Sequence, residues 1–390
     1  MVKVNKLKND IPVIMEKVDH VHSVQIGIFL RVGGVDEDEY NLGISHFIEH
    51  MMFKGTKKRS ALEIAEEVER VGSSQNAYTS KQLTCYHIKS LKEELPKSVD
   101  ILYDMLTNSV FDTAELNRER NVIIEEKKMY EDSPDDVVFE MIADLVFQGH
   151  PYGNEIIGTN ESINRIDHDM IVDYVREHYN ASSMVVSVSG NFEEAELLSM
   201  LEDTFGTIES GDYTRVLPPA DYTPGTNSKV MDIQQTHLCL GAKGVKIGSD
   251  DYYDMTIYAG ILGGSMSSRL FQKVREEKGL CYAVTAIPDC YVEDGAFYIY
   301  SAVADDNIEI AIEAIIGEIE RMLEGITDEE LTKAKNLMKA SYTFSYESLN
   351  SRMNALGKNY LLLGKYFSEE EVLDGISKVT KESVLNIAKR

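Results

Sequence analysis

Two histidines and a glutamate share one short stretch, His46-Phe47-Ile48-Glu49-His50, at a spacing that chemistry can use. Wound as a helix over 41–53, at about 100° per residue, the three polar side chains fall on one face. His50 lies about 40° to one side of His46 and Glu49 about 60° to the other. Ile44, Phe47, Ile48, Met51 and Met52 cluster on the opposite face. The helix therefore packs by an apolar back and presents two imidazoles and a carboxylate on its front. Imidazoles at i and i+4 can ligate one metal ion, and a carboxylate beside them can act as a base on water bound to that ion. A polar face whose histidines hydrogen-bond locally has the same pattern, so the rest of the chain must decide.

A catalytic zinc takes three protein ligands and keeps one position open. A helix predicted over 113–129 offers candidates for the third. With Glu119 as reference, Val122, Ile123, Glu126 and Tyr130 lie within about 60°, while Glu125, Lys127 and Lys128 fall away. Glu119 and Glu126 thus sit on the apolar stripe that should point inward. A buried carboxylate is costly unless it is paired or bound to metal. Solvated acids on a charged helix are the plainer reading; two of them, seven residues apart on the inward face, weaken it.

The elements that must position these residues follow from periodicity and punctuation. A hairpin or strand occupies 1–15 and a strand 24–32, followed by an acidic loop over 36–39. Gly55 is a plausible C-cap of the motif helix. Ser60 with Glu63 forms a capping box for a helix ending near Val71. A strand is expected over 76–90, helices over 96–109, 113–129, 134–147, 169–178 and 193–205, and a strand over 184–189. Residues 206–228 hold three of the eight prolines and little apolar periodicity, which reads as a linker. Beyond it, strands are expected over 237–242, 282–287 and 295–303. Helices are expected over 252–262, 267–278, 307–324, 328–347, 351–363 and from 381 to the end. The two halves repeat one plan loosely, which suggests an internal duplication. The predicted fold is α+β, with domains over 1–206 and 229–390 joined by 207–228.

A formal net charge of −27 argues against nucleic acid or an anionic membrane as partner and is compatible with basic ligands. Hydrophobic residues at 43% and charged residues at 27% fit a soluble globular protein. No apolar run is long enough for a transmembrane helix, and the first fifteen residues lack the features of a signal peptide. Cys85, Cys239, Cys281 and Cys290 show no C-x-x-C spacing and read as reduced thiols of a cytoplasmic protein.

With these residues in view, the chain resembles the pitrilysin and mitochondrial processing peptidase family, the zinc peptidases with H-x-x-E-H. The likeness covers nearly the whole length. It rests on Gly43 to Met51 with Phe53-Lys54-Gly55-Thr56, and on Asn76-Ala77-Tyr78-Thr79-Ser80. It continues through Glu119 to Glu126 with Asp132-Ser133-Pro134, and His150-Pro151-Tyr152-Gly153 with Gly158-Thr159. Its last block is Ser267 to Phe271, running on through Arg275 to Gly279-Leu280-Cys281-Tyr282.

The resemblance implies one Zn²⁺ per chain on His46, His50 and Glu126, with Glu119 as a supporting acid and Glu49 as general base. It implies that Arg275 and Tyr282 hold the substrate near the zinc, and that Asn76, Ala77 and Tyr78 belong to an edge strand on which a peptide pairs by main-chain hydrogen bonds. It implies two homologous domains, each a mostly antiparallel sheet covered by helices, closing as a clamshell around a chamber. The expected activity is zinc-dependent endopeptidase action on peptides or unfolded segments, by a homodimer. His150 reads as a loop histidine and is not assigned to metal. Two other readings compete: a catalytically silent peptide-binding subunit, and a metal-dependent hydrolase with a different substrate.

Overall fold

The computed structural model describes residues 2–390. They divide into two compact units, and neither is a continuous piece of chain. The first takes the chain up to Lys128, Asn154–Leu217 and Ser345–Tyr366; the second takes Met129–Gly153, Pro218–Phe344 and Phe367–Arg390. The expected division into 1–206, 207–228 and 229–390 follows chain order, whereas packing exchanges a segment in each direction across it. The chain passes from the first unit to the second between Leu217 and Pro218, within 207–228.

The first unit is built on six strands: β1 (Val2–Lys6), β2 (Pro12–Lys17), β3 (Ser23–Leu30), β4 (Ser74–Thr79), β5 (Thr84–Leu91) and β6 (Met184–Gly190). They lie in the order β1-β2-β6-β3-β5-β4, so β4 is a free edge. The β2–β6 pair is parallel and the others are antiparallel. The stretch 76–90, expected as one strand, is a hairpin. Ser80 N donates to Leu83 O at 2.8 Å and turns the chain between β4 and β5.

One face of this sheet, with Ile26, Ile28, Tyr86 and Val188, shares a core with Phe47, Ile48 and Met51 of the motif helix and with Leu102 and Met105. The helix Leu349–Leu363, from the far end of the chain, packs on β3 and β6. Ser187 Oγ donates to Met353 O at 2.8 Å, and Arg352 pairs with Glu16 at 2.6 Å. The approach is close enough to need glycine on both surfaces. A Cβ on Gly27 would stand 2.3 Å from Met353 Sδ, and one on Gly357 2.2 Å from the buried Phe29 ring.

The second unit holds β7 (Thr236–Lys243), β8 (Cys281–Cys290) and β9 (Gly295–Val303), antiparallel in the order β7-β9-β8. The helix Pro134–Val146, from the first half of the chain, packs on β7. Its Phe139 stacks on Tyr300 with ring centroids 5.3 Å apart. The helix expected over 267–278 is a wider-wound π-helix at Phe271–Glu277. Two short helices escaped the periodicity reading, Asn160–Arg165 and Glu369–Lys378. Both carry capping boxes, Thr159 with Ser162 and Ser368 with Glu371, and the second is legible as such in the sequence. No helix among the described residues is long and apolar enough to cross a membrane.

The segment 207–228 has no strand or helix beyond a short turn at its start, but it is not a loose tether. The Arg215 and Asp36 side chains are almost fully buried together, with Arg215 Nε donating to Asp36 Oδ1 at 2.7 Å. Arg215 also donates to Gln82 O at 2.8 Å, and Tyr213 Oη donates to Asp36. A buried guanidinium needs its carboxylate, so the connection is pinned two residues before it changes unit.

Two outcomes are expected. Gly357→Val should cost about 1–3 kcal/mol, read as a lower unfolding midpoint, because the Phe29 ring has no room to retreat. In the second unit, Arg269 Nε donates to Glu330 Oε1 at 2.7 Å, and that bond above all holds the Glu330 carboxyl at about 2. The stabilisation is present above the unfolded carboxylate range and is lost as pH falls through the folded value. Glu330→Gln should therefore melt below the wild type at pH 7, with the gap closing between about pH 4 and pH 2.

Candidate metal centre

Gly43, with φ of 86°, starts the motif helix as Ile44–Met51, shorter than the expected 41–53. Eight residues are too few to be helical unaided. The buried Glu37 carboxylate supplies part of the support: Oε2 accepts from Gly43 N at 2.7 Å and Oε1 from Ser45 N at 2.9 Å. Burial pushes its carboxyl up to about 8, against the pull of those two donors. The apolar back, Ile44, Phe47, Ile48 and Met51, is fully buried, so the polar front is left facing the helix Thr113–Glu131.

That helix is turned slightly from the expected stripe. Leu116, Glu119, Ile123 and Lys127 are buried, while Val122 and Tyr130 are exposed. Lys127 can be inside because its ammonium pairs with Glu155. The turn still sends both acids to the motif helix. Glu126 Oε2 lies 3.8 Å from His46 Nε2 and 3.4 Å from His50 Nε2. One ligand atom from each of His46, His50 and Glu126 lies within 4.8 Å of the others. These separations suit a tetrahedral ion with bonds of about 2.0–2.2 Å, and two imidazoles with one carboxylate form a donor set that zinc accepts.

Glu119 sits behind His50. It accepts from His50 Nδ1 at 2.8 Å and from Lys54 Nζ at 2.6 Å. Burial pushes the Glu119 carboxyl up, but these two partners outweigh burial and hold it below the usual carboxylate range. This leaves Nε2 as the His50 nitrogen facing Glu126. Burial lowers His50, and the Glu119 and Glu126 carboxylates more than reverse this, to about 9. His46 is lowered to about 4 by burial and by its neighbour His50, and its buried Nδ1 has no hydrogen-bond partner among the described residues. A proton and a divalent cation compete for the same lone pairs, and the acids favour either positive guest.

Glu49 occupies the same helix front. Burial raises its carboxyl, partly offset by Thr79, whose Oγ1 donates to Glu49 Oε2 at 2.6 Å. Asn76, Ala77 and Tyr78 lie on the free-edge strand β4, which also carries Thr79. Tyr78 Oη donates to Asn354 Oδ1 at 2.6 Å. Arg275 and Tyr282 belong to the second unit and come together there. The Arg275 guanidinium lies 4.5 Å from the Phe271 ring centre and 4.9 Å from that of Tyr282, which is 76% exposed. His150 has both ring nitrogens engaged, Nδ1 by Tyr152 N at 3.1 Å and Nε2 by Pro218 O at 2.9 Å, as a structural loop histidine requires. Glu37, Lys54 and Thr79 were not singled out from the sequence. Glu37 lies in the acidic loop 36–39, and Lys54 and Thr79 lie in the motif blocks 53–56 and 76–80.

Two imidazoles and a carboxylate around one point, with a further buried carboxylate beside them, have the make-up of a metallohydrolase centre. The family profile described as insulinase (peptidase family M16) matches residues 12–160, and the one described as peptidase M16 inactive domain matches residues 165–338. The chain belongs to the M16 peptidase family. It is 39% identical over 394 residues to the uncharacterized zinc protease YmxG of Bacillus subtilis, spanning 100% of this chain and 95% of the relative. An uncharacterized zinc protease of Rickettsia felis is 34% identical over 388 residues, with 99% and 94% covered. Among solved structures, a protease from Helicobacter pylori superposes with a TM-score of 0.91 at 21% identity, covering 100% of this chain and 96% of that one. The peptidase M16 inactive domain from Pseudomonas fluorescens gives 0.94 at 18% identity, covering 100% and 95%. These two likenesses speak for the fold.

Glu119→Ala should weaken zinc binding roughly 10- to 100-fold, because His50 loses the acceptor that orients its ring. Competition against a chromogenic chelator measures it.

Proposed function

We propose that this chain is a zinc-dependent endopeptidase acting on peptides or unfolded segments. The observation that carries the reading is the convergence of His46 Nε2, His50 Nε2 and Glu126 Oε2, with the Glu49 carboxylate on the same helix front. Relatives named zinc proteases over their whole length support it. One zinc ion on the three ligands supplies a Lewis acid for the scissile carbonyl and makes water acidic enough to lose a proton near neutral pH.

The chain's own residues do the rest. Glu49 takes the proton as the water oxygen bonds to the carbonyl carbon, and returns it to the amine nitrogen as the C–N bond breaks. Burial raises its carboxyl, which brings it toward the range where one group can serve as base and then as acid. β4 is an edge strand, where an extended peptide can add by main-chain hydrogen bonds, a mode that tolerates many sequences. Asn76, Ala77 and Tyr78 are the substrate-binding stretch in this reading. Arg275 and Tyr282 are kept as donors to the substrate, on the family motif and on their exposed pairing. A homodimer is part of the same proposal.

The catalytically silent subunit is the alternative, and no substitution in the H-x-x-E-H motif or at Glu126 favours it. The purified protein should cleave an unstructured peptide mixture, and a chelator should abolish the cleavage until zinc is restored. Glu49→Gln should retain zinc and lose at least about a thousandfold in turnover. A wild type with no chelator-sensitive cleavage would return the silent-subunit reading. Cleavage that survives Glu49→Gln would leave the metal in place and remove the base.

A further inference from the structure

Glu49 is reached by one hydrogen-bonding residue among the described ones, Thr79. Thr79 Oγ1 stands 2.6 Å from Glu49 Oε2 and 3.4 Å from Thr84 Oγ1. Thr84 spends its own hydrogen on Val32 O at 2.9 Å, so toward Thr79 it can only accept. A carboxylate also only accepts. The Thr79 hydrogen therefore chooses between a near, charged acceptor and a distant, neutral one, and goes to Glu49. A glutamate on a helix has three rotatable bonds, and a base that must meet one water has to be held in one rotamer.

Placement adds a second consequence. Thr79 is on β4, the strand whose free edge receives the peptide in the reading above, on which this inference rests. Ala77, two residues earlier, shares its side of the strand. One strand thus carries both the clamp on the base and the main-chain groups that would set the register of the peptide. A shift of β4 moves both together, so the base keeps its place relative to the scissile bond.

We propose that Thr79 is a positioning residue for Glu49. Its hydroxyl holds Oε2, which leaves Oε1 to take the proton from the attacking water and to pass it to the leaving amine. The reaction consumes nothing at Thr79, whose own hydrogen stays where it is.

The test compares wild type, Thr79→Val and Thr79→Ser on one peptide, with zinc per chain and the melting midpoint measured for each. Valine keeps the shape and the main-chain contact to Glu49 and removes the hydroxyl donor. Its kcat should fall roughly 10- to 100-fold, the scale of a hydrogen bond to a charged group, with KM changed by less than about twofold. Zinc content and melting midpoint should be unchanged, and serine should restore kcat to within about threefold. In the Glu49→Gln background, Thr79→Val should cost no further turnover and leave peptide binding as it was, because the partner it serves is gone. Wild-type kcat in Thr79→Val would overturn the proposal, as would a serine variant as slow as valine, a zinc loss that tracks the rate loss, or a full additional loss on top of Glu49→Gln. An active wild type with an unaffected Thr79→Val removes this proposal alone; a wild type without chelator-sensitive cleavage removes the peptidase reading and this proposal with it.

Discussion

Everything at the centre depends on holding an eight-residue helix in place from both ends. At its start, a buried carboxylate from Glu37 accepts from Gly43 N and Ser45 N, satisfying main-chain donors that no turn of the helix can satisfy. Its back is set in the first unit's core through Phe47, Ile48 and Met51. Near its end, Lys54 and His50 meet on Glu119. Remove the tertiary support and so short a helix does not persist. The two imidazoles would then have no common face and Glu126 nothing to converge with.

The support is also electrostatic. Three carboxylates, Glu49, Glu119 and Glu126, crowd two imidazoles in partly buried surroundings, and the molecule relieves the repulsion in different ways. Lys54 neutralises Glu119, Thr79 hydrogen-bonds Glu49, and Glu126 is held low chiefly by His50. What remains is a point where Glu126 Oε2 and the two Nε2 atoms meet within 4.8 Å of one another. Donors brought together by the fold in this way suit a divalent ion, and their arrangement is set by packing and by the Glu119 hydrogen bond to His50.

Local relations were legible in the sequence. The spacing of His46, Glu49 and His50 lies within one turn of helix, and seven residues separate Glu119 from Glu126 on one stripe; both depend on helical geometry alone. The tilt of that stripe was misjudged, because Lys127 is buried by an ion pair with Glu155, a contact that periodicity cannot report. The same applies to the segment at 207–228. Its prolines and glycines read as a tether, while Arg215 is sealed against Asp36, a partner far away along the chain. Glu37 and Thr79 share the reason: each acts on the motif helix across a turn or from another strand. The hairpin at 74–91 was missed because Ser80 to Leu83 contains no glycine or proline to mark the turn.

The exchange of Met129–Gly153 and Ser345–Tyr366 constrains how this architecture can be divided. A break at Leu217, the most inviting place by composition, would yield two polypeptides that each lack a helix of their own fold and carry one belonging to the other. The first piece would leave β3 and β6 without the helix Leu349–Leu363, and the second would leave β7 without the helix Pro134–Val146. Neither product is a self-sufficient folding unit. An ancestor encoded by two separate genes, or a present-day fission at this point, would need its two products to assemble together, each completing the other's hydrophobic surface. Continuity of the chain here therefore acts as a guarantee of stoichiometry.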